Sequence, residues 1–187
     1  YDPEQWHRKY VQKIIDPPNA AMLFGNEIGQ KLALDPSFLP EIPRYKIMEK
    51  KLEGKVGNIE LVGFLDSFCP DTKCFREYKT SSSKTRWTQK KAEQHGQLDF
   101  YFFLIWLTYQ IPPESIQATL HYIPVNESGD FAMELSKAEI KHFSVCKTTT
   151  DILKFGAFIK QIYAEMLDYA DKKEFSTPPI ASISDLR

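Results

Sequence analysis

The stretch from Gln97 to Tyr109 constrains this chain most, because it is a helix with almost no polar face to offer water. Nearly every side chain from Phe100 onward is aliphatic or aromatic, and a helix apolar on most sides must be buried on most sides. Pro112 and Pro113 end it, since proline cannot continue a helical ladder. The apolar run is about half the length needed to span a bilayer, so the expectation is a core helix enclosed by other layers.

The flanking segments supply those layers. Asp16 to Asn19 forms a turn before a helix over Ala20–Leu34, whose apolar positions Met22, Leu23, Ile28 and Leu32 fall roughly on one face. Pro36, Pro40 and Pro43 then break the chain into a loop. Strands are expected at Tyr45–Leu52, Ile59–Phe68 and Cys74–Thr80, with turns at Gly54–Asn58 and Cys69–Lys73, as a consecutive antiparallel meander. After the polar stretch Ser81–Gly96 and the apolar helix, Ser115–Pro124 and Asp130–Leu135 read as two more strands about a turn at Asn126–Gly129. An amphipathic helix over Thr149–Lys172 comes last, with Thr150 or Asp151 as its cap. The order αβββαββα predicts an α/β (α+β) sandwich, a mixed central sheet flanked by helices. All 187 residues read as one domain, with 1–19 as an extension and 176–187 as a loose tail.

Hydrophobic residues make up 42% and charged residues 26%, an ordinary balance for a globular protein. No signal-peptide pattern opens the chain, so a soluble cytoplasmic protein is expected, with no membrane partner. The three cysteines (Cys69, Cys74, Cys146) form no CxxC pair, which argues against a disulfide framework and a zinc site. No phosphate-binding glycine loop is present, so no nucleotide cofactor is expected. The four histidines (His7, His95, His121, His142) show no metal-ligand spacing. Net charge is −1, yet Lys79, Lys84, Arg86, Lys90 and Lys91 form a basic run without an acidic residue among them. Such a run is either a solvated face or a grip on a phosphate backbone. Trp87, set within it, either stacks on an unpaired base or anchors the loop.

The chemistry-bearing segment runs from Gly63 to Asp66 and then from Glu77 to Lys79. Side chains alternate across a strand, so Glu77 and Lys79 share a face. A short hairpin brings Asp66 beside Glu77. Two converging carboxylates repel unless a cation lies between them. Magnesium, which takes oxygen ligands and keeps several waters, suits such a pair. Lys79 is then within reach of a metal-bound water. A bare Glu-x-Lys triplet also occurs in any surface hairpin carrying an ion pair, so the wider context decides.

That context is Gly63-x-x-Asp66, then Glu77-x-Lys79, then Gln97-x-x-x-Tyr101. In order and spacing it resembles the RecB-like branch of the PD-(D/E)XK nucleases, over roughly Ala20 to Trp106. The resemblance implies a restriction-endonuclease-like core and a nuclease hydrolysing DNA with Mg2+ or Mn2+. Asp66 and Glu77 would hold the metal, Lys79 would be catalytic, and Gln97 and Tyr101 would help position nucleic acid. Lys84, Arg86, Lys90, Lys91 and Trp87 would then border the substrate. Double- or single-stranded DNA is the implied partner, in repair, recombination or phage-type DNA processing, beside a helicase or recombination protein, in a bacterial or phage-infected cell. Relatives carry a histidine or glutamate ligand where this chain has Gly29, with Glu27 and Glu49 as substitutes. That departure opens a second reading, an inactive member of the fold that binds nucleic acid or a protein partner. The iron–sulfur cysteines of some relatives are missing, so no cluster is expected.

Overall fold

Asn19 starts helix α1, Ala20–Leu34, by accepting a hydrogen bond from the backbone N–H of Met22 at 2.9 Å, which satisfies one of the donors a helix start leaves open. The computed structural model describes residues 5, 8, 9, 13, 14, 17–45, 47–82, 87–128 and 132–172. Along α1, Ile28 and Leu32 are buried, whereas Met22 and Leu23 stand in solvent. The buried stripe is therefore narrower than the periodicity predicts.

Strands β1 (Ile47–Val56), β2 (Ile59–Cys69) and β3 (Cys74–Ser82) form the expected antiparallel meander. The first begins two residues later and runs four residues further than its sequence pattern indicates. The turn has shrunk to Gly57 and Asn58, Gly57 taking the positive φ (61°) that a tight hairpin needs. A short helix α2, Gln89–Glu93, precedes α3, Gly96–Tyr109. A single 3-10 turn at Pro113–Ser115 leads into β4, Gln117–Ser128. Then come β5 (Ala132–Leu135), β6 (Lys141–Val145) and α4 (Thr149–Lys172). The expected order thus gains α2 and β6.

The sheet has six strands in the order β1-β2-β3-β4-β5, with β6 also on β4. The β3–β4 pairing is parallel and the others antiparallel, so the sheet is mixed as expected. β5 and β6 share one edge of β4 in series, β6 on Ala118–Tyr122 and β5 on Val125–Ser128. Pro124, which has no N–H to give, falls in the gap between them.

Helix α3 is buried from Leu98 through Ile105 except at Asp99, between the sheet and α4. It comes so close to β2 that a Cβ on Gly63 would meet Leu104 at 2.8 Å and Phe100 at 2.9 Å. On the other face, α1 packs Ile28 and Leu32 against Ile123 and Tyr78. The cap of α4 is Thr148, not Thr150 or Asp151. Its hydroxyl accepts from the Asp151 N–H at 3.2 Å, and Asp151 Oδ2 accepts in return from the Thr148 N–H at 3.0 Å. Asp151 is thus the reciprocal partner in a capping box. No helix among the described residues is long and apolar enough to cross a membrane. The expected tail, 176–187, and most of the expected extension lie outside the described residues.

Candidate active site

The β2–β3 ladder pairs Cys69 with Cys74, Phe68 with Phe75 and Ser67 with Arg76, and goes no further. One step beyond, where Asp66 would face Glu77, the strands part and open a cleft of about 890 Å3. Asp66 reaches across the opening, and its Oδ2 accepts a hydrogen bond from the Tyr78 backbone N–H at 2.7 Å. The β1–β2 ladder is interrupted at the same level. There Glu49 adopts φ 51°, a left-handed conformation rare for a non-glycine residue inside a strand. Both ladders of β2 therefore break around Asp66, which frees its carboxylate to enter the cleft.

Glu77 is 1% exposed and Lys79 lies beside it on the same strand face, with Lys79 Nζ 2.8 Å from Glu77 Oε1. The other oxygen, Glu77 Oε2, is buried and has no hydrogen-bond partner among the described residues. Lys79 Nζ also donates to Gln97 Oε1 at 2.5 Å, Gln97 Nε2 donates to the Tyr101 hydroxyl at 2.8 Å, and that hydroxyl donates to the Phe64 carbonyl at 2.6 Å. Gln97 and Tyr101 stand one helical turn apart at the start of α3, which is how one helix serves two successive links.

Burial, and then the charge of Glu77, push the Asp66 carboxyl well above the usual carboxylate range. Desolvation and Glu77 also raise Glu49, which sits at the cleft mouth. Two carboxylates raised by the charge of Glu77, whose own second oxygen is buried without a partner among the described residues, make a site that a cation would relieve. Among the described residues no three His, Cys, Asp or Glu side chains are grouped to hold a metal ion. Two carboxylates nevertheless fit Mg2+, which commonly takes one or two from the protein and fills its remaining positions with water and phosphate.

The other sequence candidates fall in several places. Gly29 lines the cleft, and a Cβ there would meet nothing within 4 Å. Glu27 points into solvent in an ion pair with Lys31 at 2.7 Å and does not line the cleft. Lys90 and Lys91 are exposed on α2, which packs against β6 away from the cleft. Lys84 and Arg86 lie outside the described residues. Trp87 is only 8% exposed, built into the core with its ring 5.1 Å from that of His95 and the Lys91 ammonium 4.8 Å away over its face. Packed in the core, it is not available to a base.

Asn26, Gln30 and Phe64 line the cleft without having been singled out by sequence. Phe64 had a usable signal, because it stands out of phase with the buried series Ile59, Leu61, Gly63 and Leu65 on its own strand. His121 and His142 meet across β4 and β6 with Nδ1 atoms 2.6 Å apart. Burial and His142 push His121 down to about 3, so His121 is held neutral, on the Tyr78 side of the sheet.

No protein-family model matches the chain, and no curated protein matches it. Among solved structures it is similar to a phage-related exonuclease from Haemophilus somnus 129PT, with 12% identity over 90% of this chain and 78% of that one, at a TM-score of 0.56. It is also similar to a protein from Eubacterium rectale, with 10% identity over 100% of this chain and 95% of that one, at a TM-score of 0.49. The first likeness establishes a shared fold.

Proposed function

We propose that this protein is a metal-dependent nuclease that hydrolyses DNA phosphodiester bonds, of the RecB-like PD-(D/E)XK kind. One observation carries the reading: Asp66, Glu77 and Lys79 meet in a single cleft, and one buried oxygen of Glu77 has no partner among the described residues. The fold shared with a phage-related exonuclease supports it. Asp66 and Glu77 would hold Mg2+ or Mn2+. Bound there, the cation would acidify a coordinated water and offset phosphate charge. Lys79, fixed by Glu77 and Gln97, would orient the attacking water and stabilise the charge growing on the phosphoryl oxygens. Tyr101 steadies Gln97 and through it the lysine. Work in repair, recombination or phage-type DNA processing beside a helicase or recombination protein, in the cytoplasm of a bacterial or phage-infected cell, belongs to the same proposal.

The test is cleavage of linear and circular DNA with Mg2+ or Mn2+, with and without EDTA. Cleavage abolished by EDTA supports the proposal, and the two substrates separate exo- from endonuclease action. The competing reading, an inactive nucleic-acid or protein binder, draws on the two-carboxylate ligand set and Gly29. It wins if purified protein binds DNA and cleaves nothing with either metal.

A further inference from the structure

We infer that Phe64 is a stacking platform for an unpaired base of the substrate strand, which makes single-stranded or frayed DNA ends the preferred substrate. The inference rests on the nuclease reading of the cleft. Phe64 lies two residues before Asp66 on β2, lines the same cleft, and is 47% exposed, although the residues on either side of it are buried. A large apolar side chain left half in water forgoes much of the stabilisation that burial would give it. Its backbone is nevertheless fixed, because the Phe64 carbonyl terminates the hydrogen-bond chain from Lys79 through Gln97 and Tyr101. The strand position that carries the ring is thus tied to the lysine that would meet the phosphate.

The chemistry around the ring identifies the occupant. The amides of Asn26, Gln30 and Gln97 and the carboxylates of Asp66 and Glu77 line the cleft together with apolar Met22, Ile28, Leu34 and Met48. Such a mixed lining suits a nucleotide, whose base is flat and apolar-faced and whose sugar and phosphate are polar. The cleft volume, about 890 Å3, lies in the range of clefts that take small ligands, so a strand enters a few nucleotides at a time. An aromatic face accepts any base, which makes such a platform selective for unpaired strands and indifferent to sequence.

The experiment uses single-stranded oligonucleotides carrying 2-aminopurine at successive positions, with Ca2+ in place of Mg2+, and a blunt duplex of the same sequence as control. Wild type and Phe64→Trp should quench one position. Phe64→Ala and Phe64→Leu should not, and should bind the single strand about five- to a hundredfold more weakly with the duplex unaffected. Phe64→Leu keeps an apolar side chain, so its loss of quenching separates stacking from packing. Quenching that survives in Phe64→Ala, or equal single-strand affinity in Phe64→Leu and wild type, overturns the inference. Quenching without any metal-dependent cleavage would reject the nuclease and leave the stacking site standing. Cleavage of single strands by Phe64→Ala at the wild-type rate would do the reverse.

Discussion

At the scale of single residues, the cleft is a place where charges have been put under mutual stress. Asp66 is raised well above its ordinary value of 3.8, first by burial and then by Glu77. The folded protein therefore holds that proton more tightly than the unfolded chain does. The resulting stability is fully present below the ordinary value and is lost as pH rises through the raised one. Asp66→Asn removes the titration while keeping an acceptor for the Tyr78 N–H. It should raise the Tm of the metal-free protein at about pH 7 and flatten the decline from acid pH. Added Mg2+ should stabilise wild type by mass action and leave the variant unmoved. Thermal unfolding across pH checks this, and a lower Tm for Asp66→Asn at neutral pH would count against the stressed pair.

At the scale of elements, the two glycines of interest answer to opposite constraints. Gly63 lies under α3 with Leu104 2.8 Å and Phe100 2.9 Å from where a Cβ would stand. Gly63→Ala should therefore destabilise by about 1–3 kcal/mol through overpacking, measurable by denaturant unfolding. A cost near zero would mean that α3 can move away. Gly29, on α1, has open space around it and faces the cleft. Gly29→Glu should remove the helix penalty of glycine, worth up to about 1 kcal/mol. It should also tighten Mg2+ binding by calorimetry, because it adds a carboxylate to a site that has two. A folded Gly29→Glu variant with unchanged or weaker binding would show that α1 does not present this position to the metal.

These elements also show what could be read from sequence. Helix α1, the meander, the buried α3 and α4 all carried their own periodicity or punctuation. Strand parity sufficed to put Glu77 beside Lys79, and helical spacing to put Gln97 over Tyr101. What escaped depended on tertiary placement. Trp87 in a basic run reads equally as a base stacker and an anchor until its burial is known. Strand β6 is short and solvated along much of its length, so its alternation was too weak to stand out. The cap of α4 shifted to Thr148 because Thr148, Thr149 and Thr150 all offer a hydroxyl, and the reciprocal bond with Asp151 selects one.

At the scale of the whole molecule, the site exists because the sheet is not continuous. The β2–β3 ladder stops short of Asp66, the β1–β2 ladder is interrupted beside it, and Gln97 and Tyr101 of α3 line the resulting cleft together with residues of α1. Closed ladders would leave Asp66 a strand residue facing its neighbour, with no opening beside the Glu77 oxygen that lacks a partner among the described residues. The central claim is that this opening is a metal-dependent hydrolytic centre in which Lys79 acts on water and phosphate and not as a ligand. It is tested most directly by the rate of Mn2+-dependent cleavage of linear DNA by wild type and Lys79→Ala, at metal occupancy matched by calorimetry. The account predicts a loss of about a hundred- to ten-thousandfold in the variant with Mn2+ still bound. Equal rates for the two proteins, once contaminating nucleases are excluded, would contradict it.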